Sequence, residues 1–122
     1  MANWFRTQAG EEHEHAMKIV SLLNEWNLPI KLKSPPDPKT GFKDAESVFT
    51  SALAHERGVT EQITKIFSMA REESAWHVEV AFQWFITEQV EEEVTARDNL
   101  AKIRLVGTNP AALLEFDRHL LA

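Results

Sequence analysis

The stretch ALAHERGVTEQITKIFSMAR, residues 52–71, places Ala52, Glu56, Val59, Ile63, Ile66 and Ala70 at steps of three and four. That spacing keeps all six on one face of an α-helix. The face is apolar except at Glu56, and the same period extends back to residue 44, so a long helix is expected over residues 44–71. A carboxylate in the middle of an otherwise apolar stripe is the first sign that this helix does more than pack.

The next segment repeats the arrangement. Only residues 72–74 separate it from a second run, 75–106, which walks through Phe82, Phe85, Gln89, Glu92, Ala96, Leu100 and Ile103. So short a break implies antiparallel neighbours. An amide and a carboxylate again sit inside an apolar stripe, and Gly107 is expected to end the helix. Thr108 or Asn109 should then cap a short last helix that has Pro110 at its first position and reaches about residue 121.

Upstream, residues 3–26 carry Trp4, Phe5, Ala9, Ala16, Ile19, Val20, Leu23 and Trp26 at helical spacing. Here the stripe is Phe5, Ala9, Glu12, His15, Ile19 and then Leu23 or Trp26, with a Glu-x-x-His pair inside it. With only Met1 and Ala2 before Trp4 and Phe5, this helix is expected to begin abruptly. Residues 28–43 hold Pro29, Pro35, Pro36 and Pro38 together with Gly41, which excludes regular structure. Extended at roughly 3.3 Å per residue, that loop reaches about 50 Å, whereas a helix of some 25 residues is about 38 Å long. It can therefore return the chain to the same end of a bundle, as a crossover between parallel helices.

Composition narrows the function. A chain of 122 residues, 43% hydrophobic and 26% charged with four glycines, is expected to form one folded, helix-rich domain. A net charge of −6 without a basic stripe argues against nucleic acid as a partner. The absence of cysteine removes disulfides, thiolate catalysis and zinc-thiolate sites, and fits a reducing cytoplasm. No apolar run approaches the roughly 20 residues needed to span a bilayer, and no signal-peptide h-region is present, so a soluble intracellular protein is expected.

Taken together, three helices each place an acid on the face that their apolar residues define. Carboxylates directed into one bundle, with no Lys or Arg on the same stripes, are tolerated when a cation pairs with them. Carboxylate oxygens with one imidazole suit Fe(II) and similar divalent ions. Two such ions about 4 Å apart could share bridging carboxylates. The remaining histidines, His13, His55, His77 and His119, lie off the acid face and are expected to be solvent-facing or locally bonded. Trp4, Trp26, Trp76 and Trp84 are expected to serve packing.

Three segments carry a family resemblance: AxEExxHA at residues 9–16, ALAHERxVT at 52–60 and FxxEQVEEE at 85–93. In this order they resemble the second, third and fourth helices of non-haem bacterial ferritins, and the likeness covers nearly the whole chain. It implies an all-α, ferritin-like bundle of three long helices and a short C-terminal one. It further implies iron as the bound metal, with Fe(II) oxidised by dioxygen or peroxide and stored as ferric oxo-hydroxide. By the same resemblance Glu12 bridges two irons and His15 binds the first, while Glu56, Gln89 and Glu92 lie at or beside the second. Glu11, Glu88 and Glu91 resemble an additional iron site of bacterial members. The Glu-Gln-x-x-Glu form on the third long helix points away from the haem-binding branch.

The family pattern places another helix, with a first-iron Glu, ahead of residue 3. An incomplete first-iron site within one chain, and hence weakened oxidation, is the expectation. Met1 is expected to be an internal methionine of the family pattern. Three amphipathic helices with one open wall should associate, chains filling the gap for each other in a homo-oligomer other than the closed shell. Two other functions stand beside iron oxidation: a helical assembly protein with a metal-free site, and a rubrerythrin-like peroxidase, which the lack of any cysteine-bearing module disfavours.

Overall fold

The computed structural model describes residues 1–120, and every regular element in them is an α-helix. They are α1 (Ala2–Glu25), α2 (Ala45–Glu72), α3 (Trp76–Val106) and α4 (Pro110–His119). The chain divides into two compact units, Met1–Thr40 with the segment from Leu114 onward, and Gly41–Leu113. No helix among the described residues is long and apolar enough to cross a membrane. The expected end of the last helix near residue 121 lies outside the described residues.

In the first unit α1 is stopped by its own backbone. Asn27 adopts a left-handed φ of 53°, its N–H donates to the Asn24 carbonyl at 3.0 Å, and Leu28 N–H donates to the Leu23 carbonyl at 2.9 Å. This paired closure satisfies two terminal carbonyls, and Pro29 two residues later cannot resume the helix. Residues 28–42 are irregular and exposed, as four prolines require. No residue of α1 is buried; Ala9, expected on its stripe, and Ala16, one of its periodic apolar residues, are exposed. Phe116 is the buried residue of α4.

The second unit is the α2–α3 hairpin with the start of α4. Asp44 caps α2: its Oδ1 accepts from Ser47 N–H at 2.8 Å, while Ser47 Oγ accepts from Asp44 N–H at 3.1 Å. The reciprocal pair satisfies donors that the first helical turn leaves free. At the other end Ser74 takes φ 55°, and Ala75 N–H donates to the Ala70 carbonyl at 2.8 Å, so α3 starts within four residues. Gly107 ends α3 at φ 60°, with its N–H on the Ile103 carbonyl at 3.0 Å. Asn109 Oδ1 then accepts from Ala111 and Ala112 N–H at 3.0 and 3.1 Å, which makes Asn109 the cap of α4.

The hairpin buries Phe49, Leu53, Ile63 and Ala70 from α2, and Phe82, Phe85, Ala96, Leu100 and Ile103 from α3. Every residue of the expected α3 stripe is therefore buried, apart from Glu92, which is half-buried. On α2 the stripe sits slightly differently. Ile66 is 39% exposed, whereas Phe49 and Leu53, outside the expected walk, are among its most buried residues. The face that closes on α3 is centred near Phe49, Leu53, Glu56, Thr60 and Ile63, about 100° per residue of rotation being enough to carry Ile66 to its flank. Trp76, expected to pack, is 61% exposed at the first position of α3.

Candidate metal centre

The polar residues expected on the α2 and α3 stripes do meet. Gln89 is 4% exposed, and its Nε2 donates to Glu56 Oε2 at 3.3 Å, to the Glu56 carbonyl at 3.2 Å and to Thr60 Oγ1 at 3.2 Å. Thr60 Oγ1 in turn donates to the Glu56 carbonyl at 3.0 Å. The Glu56 side chain is 14% exposed. A neutral amide beside a buried carboxylate supplies donors without adding charge, and it fixes the direction of one carboxylate oxygen. His55 Nδ1 lies 3.9 Å from Glu56 Oε1 with its ring 71% exposed, so it belongs to the solvent side, as expected.

One turn apart on α3, Glu88 and Glu92 are both half-buried. One carboxylate oxygen of each lies within 4.8 Å of the other. Like charges this close are favoured when a cation sits between or beside them. Glu91, the third acid of the run, is exposed.

On α1 the Glu-x-x-His spacing does what helical geometry dictates, placing His15 Nδ1 3.7 Å from Glu12 Oε2. The His15 side chain is 17% exposed but that of Glu12 is 43% exposed. Glu12, expected to point into the bundle with Glu56 and Glu92, keeps more contact with water than Glu56 does, since an α1 that buries no residue cannot exclude water from a long side chain. Glu11 is exposed, and its carboxylate accepts from the Gln8 amide. His13 and His77 are exposed as well, and His119 Nδ1 lies 2.9 Å from the Glu115 carbonyl.

Two residues escaped the sequence reading. Thr60 belongs to the ALAHERxVT segment and lies four residues after Glu56, so its position behind Gln89 was available from helical spacing alone. Glu79 was not: its Oε1 accepts from Arg71 Nε at 3.2 Å and Nη2 at 2.7 Å, while its Oε2 is buried without a hydrogen-bond partner. The Arg71 guanidinium also lies 5.0 Å from the Phe67 ring centroid. The hydrogen bond and charge of Glu79 raise the Arg71 pKa above its ordinary value.

A carboxylate-rich helical hairpin with a Glu–Gln–Thr knot invites comparison with known proteins. A family model for ferritin, the ferritin-like domain, matches residues 1–106. The chain belongs to the ferritin family. It is 31% identical over 121 residues to a bacterial non-heme ferritin of Staphylococcus haemolyticus, covering 99% of this chain and 73% of that protein. A bacterial non-heme ferritin of Campylobacter jejuni is 30% identical over 112 residues, covering 92% of this chain and 67% of that protein. An open-pore ferritin of the hyperthermophilic archaeon Archaeoglobus fulgidus superposes with a TM-score of 0.94 at 36% identity, over 97% of this chain and 73% of that one. The all-α, ferritin-like fold class expected from the sequence is therefore the one that this ferritin has.

Proposed function

We infer that this ferritin-family chain binds iron, oxidises Fe(II) to Fe(III) and stores the product. The observation that supports this best is the buried Glu56–Gln89–Thr60 knot, whose donor set is all oxygen and amide. A set without thiolate suits a hard, oxidisable dication, and carboxylates favour the Fe(III) product over Fe(II). Iron is here the substrate and the cargo. Glu12, His15, Glu56, Gln89 and Glu92 are assigned to the oxidation site, by the family pattern that their segments share. Glu11, Glu88 and Glu91 are assigned to an additional iron position, for which the proximity of Glu88 to Glu92 is the support.

In this reading two Fe(II) ions each give up one electron, and dioxygen accepts the pair with two protons to leave as hydrogen peroxide. Peroxide can take the place of dioxygen, accepting two electrons and two protons to give water. The chain's own part is to hold the ions together and to keep one Glu56 oxygen directed by the Gln89 amide. Association of copies belongs to the same reading. Trp76, Val80 and Trp84 are 61%, 67% and 38% exposed at four-residue intervals on one face of α3, more apolar surface than a solitary soluble chain tends to show. The absence of cysteine is consistent with a cytoplasmic location.

The test is aerobic Fe(II) titration with the oxidation rate followed against buffer. Wild-type protein should oxidise Fe(II) faster than buffer, and Glu56→Ala with Glu92→Ala should lower the initial rate by roughly tenfold or more, the scale on which ligand and near-ligand changes act at metal sites. Oxidation no faster than buffer, with no Fe(II) retained on anaerobic equilibrium dialysis, would leave only a helical fold.

A further inference from the structure

The hairpin also carries a basic groove. Arg57 of α2 and Arg97 and Arg104 of α3 border a depression of ≈ 370 Å³ floored by Leu53, Ala54 and Leu100, and no acidic residue borders it. Arg57 and Arg97 also border an adjoining groove of ≈ 340 Å³. Three guanidinium groups collected in one place on a chain of net charge −6 run against the rest of the surface. Their charges are only partly answered. Arg104 donates from Nε to Glu46 at 2.8 Å, Arg97 Nε is 3.6 Å from Asp98 Oδ1, and Arg57 has no ion pair among the described residues. Glu93 borders the adjoining groove and forms no ion pair with Arg57 or Arg97.

We propose that this groove binds an elongated oxyanion carrying two or more carboxylate or phosphate groups. Like charges gathered on one small surface repel, and an anion that bridges them removes the repulsion. Guanidinium forks match carboxylate and phosphate oxygens two at a time. Length follows from spacing: Arg97 and Arg104 are seven residues apart, about 10 Å along the α3 axis. A single phosphate is too small to touch both, whereas a tricarboxylate or a condensed phosphate can reach from one toward the other. The volume lies at the lower end of that of small-molecule sites, about 300 to 1,000 Å³, and the short side chains of the floor leave the anion's carbon or phosphorus backbone room to lie flat.

Isothermal titration of the metal-free full chain with citrate, pyrophosphate and inorganic phosphate tests this. Citrate or pyrophosphate should bind saturably and at least about tenfold more tightly than phosphate, and whichever binds more tightly identifies the source. Arg57→Ala and Arg97→Ala should each weaken that binding about tenfold, the loss of one charge-assisted pair. Lys65→Ala, which removes the same charge from an exposed position of α2 outside the groove, should not. Should an alanine variant melt below wild type, Arg57→Lys and Arg97→Lys, which keep the charge and lose the fork, carry the same comparison. Equal weakening by Lys65→Ala, or no saturable binding of either long anion at millimolar concentration, overturns the proposal. So does binding that vanishes as copies associate, which would give the groove to acidic side chains of a second copy.

Discussion

Two buried polar crossings join α2 to α3, and they are built in opposite ways. Near the middle of the hairpin one amide, Gln89, reaches three acceptors contributed by Glu56 and Thr60. Near the connection one carboxylate oxygen of Glu79 takes both donors of Arg71, and the second oxygen has none. The first crossing is neutral on one side and satisfied. The second is a full ion pair whose cation is largely in water, with a side chain 63% exposed against 12% for Glu79. A carboxylate can thus be buried at the end of the hairpin because a long side chain can reach it from solvent. In the middle a neutral donor holds the carboxylate instead.

The largest effect should come from removing that neutrality. Gln89→Glu takes away the amide donor and sets a second carboxylate against Glu56, so the metal-free protein should lose about 3–5 kcal/mol of stability, the range for an uncompensated buried charge. Gln89→Leu, which only orphans the acceptors, should cost about 1–3 kcal/mol. Denaturant melts of the two variants measure the difference, and equal losses would show that charge at Gln89 is irrelevant. The second crossing should respond asymmetrically. Arg71→Met leaves Glu79 buried with both oxygens unpartnered, and should lower Tm by a few degrees. Glu79→Leu frees an arginine that water already reaches, and should lower it less or not at all. The reverse order would mean that leaving Glu79 buried without its arginine costs little, so that the ion pair is not what holds the end of the hairpin.

The same contrast explains what could be foreseen from the sequence. The α3 stripe was legible because six consecutive steps of three and four residues, from Phe82 to Ile103, admit one face only. The meeting of Gln89 with Glu56 was legible for the same reason, each being the polar member of a strong stripe. Glu79 was not, because it lies three residues before Phe82 at the outer end of the walk, where Trp76 three residues earlier is exposed and no apolar residue beyond it marks the carboxylate as buried. Its burial depends on Arg71, eight residues back across the connection. The helix ends at Asn27 and Ser74 were blurred since neither is glycine, though both adopt left-handed backbone. On α1 the pattern revealed capacity without fulfilment: Phe5, Ile19 and Leu23 recur at helical spacing, yet none is fully buried.

The smallest effect at neutral pH should be the most discriminating about the outer partner. Glu79 raises the Arg71 pKa above its ordinary value. A base whose pKa is raised on folding adds stability that is complete below its unfolded value and is lost as pH rises through the folded value. For arginine that loss falls only in very strongly alkaline solution, so its contribution should be constant across the range in which the protein can be melted. Arg71→Lys keeps a positive charge at pH 7 and should melt close to wild type there. Lysine, however, has an ordinary pKa of about 10.4, so the variant should fall away from wild type as pH climbs from about 10 to 11.5. Parallel Tm profiles over that interval would mean that the charge of residue 71 is not what holds Glu79, and the two donors at one oxygen would then act by hydrogen-bond geometry alone.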